Sequence, residues 1–407
     1  MNRYKVYLLC TLSIFLILSF SGCFSAEILG SSEDDEIVYE KHQNNVDCID
    51  SNQCPYVEKG DNWASIDSVV FEQPVLLAPM PPYTIAVGEF HSLVIVDGSL
   101  WAWGNNWHGQ LGDGTTNNHA RPVLIGTDTN WEIVAVGGGH TVAIKDNGSL
   151  WAWGYNWHGQ LGDGTTENRT IPVQIGPDTD WAGVFAGSDY TIAIKTDGSL
   201  WAWGRNSSGQ LGDGTTDDRL VPTQIGVDID WVRVMPDAVH TLALKNDGSL
   251  WFWGSNLYIY FDSRSPRFAS SSLPVEIFNT PVQIGTYDDW IRMIEERSWH
   301  REFQIRDDGS LWALGNNSEG QLGDGTTITR NTFVQIGTDT DWVSVVAGGS
   351  RTVAMKTDGS VWSWGWAGRR THCYEMGMFL SLSMIGDGGN EDRHSPVKII
   401  EGLNSLE

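Results

Sequence analysis

Between Trp63 and Ile400 apolar and polar positions alternate in short runs broken by turn residues, the two-residue period of half-buried strands. The stretch around residue 150 shows the pattern most cleanly. Trp131 to Val136 alternates, Gly137-Gly138-Gly139 interrupts, and Thr141 to Lys145 returns. Asp146-Asn147-Gly148 then supplies residues suited to the positive φ angles of a tight primed hairpin turn. Ser149 to Trp153 is therefore predicted to pair antiparallel with the strand before it. Gly154 to Ile171 reads as loop, and Pro172 to Ile175 as an edge strand, where a residue without an N–H is tolerated. Four antiparallel strands follow.

This unit recurs. Leu100-Trp101-Ala102-Trp103-Gly104 returns at Leu150 to Gly154, Leu200 to Gly204, Leu250 to Gly254 (with Phe252), Leu311 to Gly315 (with Leu314) and Val361 to Gly365. Trp131, Trp181, Trp231, Trp290 and Trp342 lead the first strand of a copy. A four-stranded unit of this size cannot bury both faces alone, whereas radial stacking buries them and protects the edges. Along the Trp-x-Trp strand, Trp151 and Trp153 point to one face, and Leu150 and Ala152 to the other, so neighbouring units interlock. The fold class predicted is all-β, a β-propeller of six four-stranded antiparallel blades. Asn62 to Ile66 mimics a first strand and Pro74 to Leu77 a fourth, so residues 61–78 leave a seventh blade or a closing strand open as the alternative.

Trp-Ala-Trp-Gly-x-Asn-x-x-Gly-Gln-Leu-Gly, followed by Asp-Gly-Thr-Thr and a later Pro-Val, with Gly-x-x-His-Thr upstream, resembles the repeat of the regulator of chromosome condensation family. The resemblance runs from about Trp63 to Ile400 and implies a β-propeller, which in that family usually has seven blades. The family includes a nuclear guanine-nucleotide exchange factor, a plant ultraviolet receptor and a secreted β-lactamase inhibitor. It therefore implies a fold far more strongly than a function.

Charge narrows the function classes. With 25 Lys plus Arg against 51 Asp plus Glu, the net charge is −26, and no basic cluster exists to neutralise phosphates, so a nucleic-acid partner is not expected. The amino terminus changes the picture further. Arg3 and Lys5 precede an apolar run from Val6 to Phe20, too short for a bilayer span, and Ser21-Gly22-Cys23 follows. Residues 1–22 read as an export signal resembling that of bacterial lipoproteins, with lipidation at Cys23. Residues 23–60 read as a flexible acidic tether and residues 61–407 as the propeller. Location outside the cytoplasm is expected, on a bacterial membrane through the lipid alone and with the outer membrane or cell surface favoured; plain secretion is the alternative. Cys48 and Cys54 are candidates for a small disulfide, with two free thiols as the other reading.

Candidate chemistry is sparse. Gly-Gln-Leu-Gly-Asp-Gly-Thr-Thr occurs at Gly109–Thr116, Gly159–Thr166, Gly209–Thr216 and Gly320–Thr327. These loops lack both the Lys and the following helix of phosphate-binding versions, and Asp113, Asp163, Asp213 and Asp324 lack the partner carboxylates a Ca²⁺ ion needs. They are read as turns. His91, His140 and His240 begin the second strand of three copies, where Tyr190 and Arg351 stand in others, and are read as buried imidazoles bonded to nearby backbone. No catalytic, cofactor or metal residue is assigned. Departures from the repeat are the better guide. The fourth loop, from Gly254 to Pro281, carries Tyr258, Tyr260, Phe261, Arg264 and Arg267. The sixth, from Gly365 to Pro396, carries Trp366, Arg369, Arg370, Tyr374 and Phe379. Aromatic and Arg residues are enriched in interface cores, so these loops are the candidate contacts for a protein or glycan partner, with tolerated insertion as the alternative. Trp107-His108 and Trp157-His158 occupy matching positions in the first two loops, extending that surface or capping their own blades. The function expected is noncatalytic binding; nucleotide exchange on a GTPase and enzyme inhibition are the family-based alternatives.

Overall fold

A computed structural model describes residues 85–256, 260–262, 265–267, 275–286, 301–368, 371–372, 379–380 and 384–401. All of these lie in one compact unit, Pro74–Glu407. Cys23, Cys48, Cys54 and the strand-like stretches within residues 61–78 fall outside the described residues. Every described element is a strand, and six blade sheets follow one another in chain order.

The second blade is typical: Trp131–Val136, His140–Lys145, Leu150–Gly154 and Arg169–Gln174 pair antiparallel in sequence order. Its fourth strand begins three residues before Pro172, earlier than the sequence pattern implies. The second strand is buried at every position, on both faces, while the fourth is half exposed, as an edge should be. First strands of neighbouring blades touch one another, which places them innermost. The fifth blade shows three strands, Arg301–Ile305, Leu311–Gly315 and Arg330–Gln335; the expected Trp290 strand is outside the described residues.

Blades interlock as the alternation demands. Trp153 and Trp131 of the second blade pack on Leu100, Ala102, Leu111 and Ile125 of the first, and the same arrangement recurs between the second and third blades and between the third and fourth. Val353 and Val361 of the sixth blade pack on Ile85, Val94 and Trp103 of the first, so last and first blades meet directly.

The hairpin turns depart from the sequence expectation. In the first blade Asp97 (φ 49°) and Gly98 (φ 72°) form the two-residue primed turn, bridging the Val96–Ser99 pair. The second blade has one residue more, and there only Gly148 (φ 75°) has positive φ, its N–H donating to Lys145 O at 2.8 Å. This is a three-residue turn ending in a left-handed Gly, not the primed turn that Asp146-Asn147-Gly148 implies. At the same end of the second, third, fourth and sixth blades a Lys ammonium sits between two Trp rings: Lys145 Nζ lies 4.6 Å from Trp131 and 4.2 Å from Trp151, with Asp128 at 2.6 Å.

Candidate functional site at the loop ends of the blades

His91 pairs with Gly104 across the first hairpin, and the matching residues pair in the other blades. The short link between first and second strands and the long loop between third and fourth therefore emerge at one end of each blade. The second loop is shaped by its own side chains. Asn156 Oδ1 accepts from Leu161 N at 2.9 Å, and Asn156 Nδ2 donates to Asp163 Oδ1 at 3.1 Å and to Thr165 O at 3.1 Å. Asp163 also accepts from Thr165 N and Oγ1 and from Arg169 Nε at 2.7 Å. Burial works to raise the Asp163 carboxyl, but the Thr165 and Arg169 hydrogen bonds outweigh it and hold the group below its ordinary value. Both carboxylate oxygens are thus engaged within the loop, which accounts for the aspartates without a metal. Asp113, Asp213 and Asp324 sit in the same arrangement.

The second-strand histidines join blades. Thr141 Oγ1 donates to Gln110 O at 2.7 Å, so its one proton is committed, and His91 Nε2–H donates to it at 2.9 Å. His140 repeats the bond to Thr191 Oγ1 at 3.0 Å. The partner is a hydroxyl of the next blade rather than nearby backbone, which corrects the sequence reading. Complete burial, reinforced at His91 by Arg351 and His140, pushes His91 down to about 3, and burial alone does the same to His140. Both rings are closed to solvent and act as latches between neighbouring blades. Tyr190 OH donates to His240 O at 2.6 Å, and Arg351 Nη2 to Gly88 O at 2.6 Å. Arg301 belongs to the same series, its Nη2 donating to Gly349 O at 2.6 Å. Its place, eight residues before the turn Gly309 as His140 is before Gly148, was the signal available in the sequence.

At the same end of the blades the first two blades carry the aromatic residues Phe90, Trp107, Tyr155 and Trp157. Trp157 is 71% exposed, Phe90 is 37% exposed, and Trp107 is half-buried. The His108 ring lies 4.6 Å from Tyr155 of the next blade, and Asn168 Nδ2 reaches His108 Nδ1 at 3.5 Å. Burial lowers the His108 pKa. His158 Nδ1 meets Asp218 Oδ2 of the third blade at 2.8 Å. Trp157, Thr166, Glu167 and Asn168 border an open cavity of about 490 Å³. Asn168 is held in place because its Oδ1 accepts from Asn156 N at 2.9 Å.

Of the loop residues singled out from the sequence, Tyr258, Arg264, Arg369, Arg370 and Tyr374 lie outside the described residues. Tyr260, Phe261 and Arg267 lie on a short hairpin, and Phe379 on another, described by backbone alone. Trp366 is half-buried. The sixth loop returns to the common frame at Met384-Ile385-Gly386-Asp387-Gly388, where Ala367 N donates to Asp392 Oδ1 at 2.9 Å and Arg393 Nε to Asp387 Oδ2 at 2.5 Å. Sequence reading missed this fifth version of the loop, because only Gly-Asp-Gly of its motif is retained.

The profile described as "Regulator of chromosome condensation (RCC1) repeat" matches residues 97–144, 147–194, 197–244 and 308–355, and a second profile of the same description matches 132–160 and 181–210. The matches pass over the stretches that hold the enlarged fourth and sixth loops. Human "E3 ubiquitin-protein ligase HERC2" is 44% identical over 62 residues, 14% of this chain and 1% of that protein. Mouse "Protein RCC2" is 46% identical over 59 residues, 14% of this chain and 11% of that protein. The chain thus spans only a small part of these relatives. Among solved structures, human WBSCR16 aligns with 78% of this chain and 81% of its own at 19% identity and a TM-score of 0.44. Yeast RCC1 (Prp20), bound to Kap60, aligns with 79% and 75% at 19% identity and a TM-score of 0.44. Repeat matches and blade sheets together establish that this chain carries regulator of chromosome condensation repeats folded as propeller blades.

Proposed function

We propose that the chain is a noncatalytic binding propeller that works outside the cytoplasm, held to a bacterial membrane by lipid at Cys23, and that its loop ends receive a protein partner. The observation that carries this reading is Trp157. A ring of that size left 71% exposed gives up burial worth about 2 kcal/mol, and Tyr155, Trp107 and Phe90 lie on loops at the same end of the blades. Exposed aromatics gathered on a loop surface are the makings of an interface core. The fourth and sixth loops follow the same third strands, and the sequence gathers Tyr and Arg residues in them. The acidic run Glu33-Asp34-Asp35-Glu36 between Cys23 and the blades supports the reading, since its composition is that of a tether.

Two experiments test it. Cells expressing the Cys23→Ser variant are fractionated; release from the membrane with loss of the lipid mass supports the anchor, and unchanged retention and mass removes it. Affinity capture from the cell envelope is then compared between the parent and a variant in which residues 256–274 are replaced by the short second loop. Weakened capture supports the fourth loop as part of the surface, and unchanged capture removes it. The repeat match favours a second reading by analogy, nucleotide exchange on a small GTPase, which requires a cytoplasmic chain. Fractionation together with a nucleotide-release assay separates the two, and a β-lactamase inhibition assay tests the inhibitor alternative.

A further inference from the structure

Resting on the loop-surface reading, we infer that Trp157 and Glu167 form a receptor for a cationic side chain, Lys or Arg, presented by a basic segment of the partner protein. The chain itself shows the chemistry four times over. Lys145, Lys195, Lys245 and Lys356 each place the ammonium 4.2 to 4.8 Å from two Trp ring centroids and within 2.7 Å of an Asp carboxylate oxygen. An indole face attracts a cation through its quadrupole, and an adjacent carboxylate supplies the counter-charge.

At the second loop the same two ingredients border one open cavity. Trp157 and Glu167 are both exposed and border about 490 Å³ beside the Thr166 hydroxyl and the pre-oriented Asn168 amide. Arg169, next in the chain to Asn168, is already engaged with Asp163 at 2.6 Å, and the His158 ring meets Asp218 at 2.8 Å. Asp217 and Asp218 add exposed acidic groups nearby, and the whole chain carries −26. An anionic partner would be repelled at this place. A basic one is steered toward it and then finds the indole face.

The test uses the full chain and a fluorescently labelled oligolysine peptide, read by anisotropy, with oligoglutamate and a neutral oligosaccharide as the comparison probes. Trp157→Ala leaves the net charge unchanged and alters an exposed side chain, so a loss of affinity reports the site; a weakening of about fivefold is expected. Glu167→Gln is expected to weaken binding about threefold, and Glu132→Gln, the same charge change on the first strand, to leave it as it was. Thermal melts matching the parent establish that each variant folds. Oligolysine binding that Trp157→Ala does not weaken, equal losses in the two Glu variants, or binding of the oligosaccharide instead would each overturn the inference. Failure here is distinguishable from failure of the loop surface as such. Envelope capture that Trp157→Ala abolishes, but Glu167→Gln and added salt do not alter, keeps the surface and removes the cation.

Discussion

The junction between the second and third blades and the seam where the sixth meets the first make the same contact with different side chains. At the junction, Trp203 Nε1 (3.0 Å) and Thr191 Oγ1 (2.8 Å) both donate to Gln160 O, and His140 donates to Thr191. At the seam Trp103 Nε1 donates to Met384 O at 3.2 Å, and Arg351 takes the place of His140. Ser92 stands where Thr191 does, and its buried hydroxyl has no partner among the described residues. What is kept is the backbone of the loop. A Cβ on Gly162 (φ +81°) would lie 2.7 Å from Trp203 Nε1, and one on Gly386 (φ +93°) 3.0 Å from Trp103 Nε1. Close approach of a left-handed glycine to an indole positions the accepting carbonyl, whichever residue bears it.

The side of the fourth blade that faces the fifth departs from both. Its loop has no Gly-Gln-Leu-Gly, and the fifth blade has Leu314 and Glu302 where the donating Trp and Thr would stand, paired across its hairpin as Trp203 pairs with Thr191. Acceptor and donors have been replaced together. Among the described residues Leu242, Leu244, Leu250 and Phe252 of the fourth blade cluster only with residues of their own blade.

The largest effect that separates these regions is the buried indole. Trp203→Ala is expected to cost about 4 kcal/mol in a denaturant melt, whereas Leu314→Ala, lacking the bond to a loop carbonyl, costs about 2 kcal/mol. Equal losses at the two positions would contradict the account of the junction.

Acid response comes next. The folded protein holds His91 and His140 at about 3 against an ordinary 6.5, so the unfolded chain takes up protons first as pH falls. Their contribution is complete above pH 6.5 and is lost as pH falls from there toward 3. At pH 5 each costs about 2 kcal/mol relative to pH 7. His140→Gln should remove its half of that slope in melts at several pH values, and a slope left unchanged would refute the latch.

A smaller contrast lies in the hydroxyls. Thr191→Ala leaves Gln160 O and His140 each short of a partner and should cost about 2 kcal/mol, whereas Ser92→Ala should stay within about 0.5 kcal/mol of the parent. The smallest separates the turns. Asp97→Gly relieves a side chain at positive φ and should stabilise by about 0.5 kcal/mol, while Asn147→Gly removes the side-chain oxygen that accepts from Ser149 N and Oγ, adds freedom to the unfolded chain, and should destabilise by about 1 kcal/mol.

Much of this was legible in the sequence, because the repeat writes the same instruction several times. Alternation around Trp151 and Trp153 specified which face meets the next blade, and Pro172 marked the edge. The turn type was not legible, since Asn-Gly suits both turns and the single extra residue of the second blade decides between them. Nor was the Thr hydroxyl that receives His140, because residues 51 apart in sequence meet only when blades stack. The loop-end surface was partly visible as Trp107-His108 and Trp157-His158. That His158 reaches Asp218 while Trp157 stays in solvent depends on how neighbouring loops lean on each other, which no local pattern encodes.

The claim that the loop ends of the first three blades meet a protein partner outside the cytoplasm is tested most directly by a photoreactive phenylalanine analogue. It is placed at position 157 in one version of the full chain and at position 132, on the first strand of the second blade, in another, and intact cells are irradiated. The account predicts a discrete protein adduct from position 157, accessible to protease outside the cytoplasmic membrane, and none from position 132. Adducts of equal yield from both positions, or none from position 157, would contradict it.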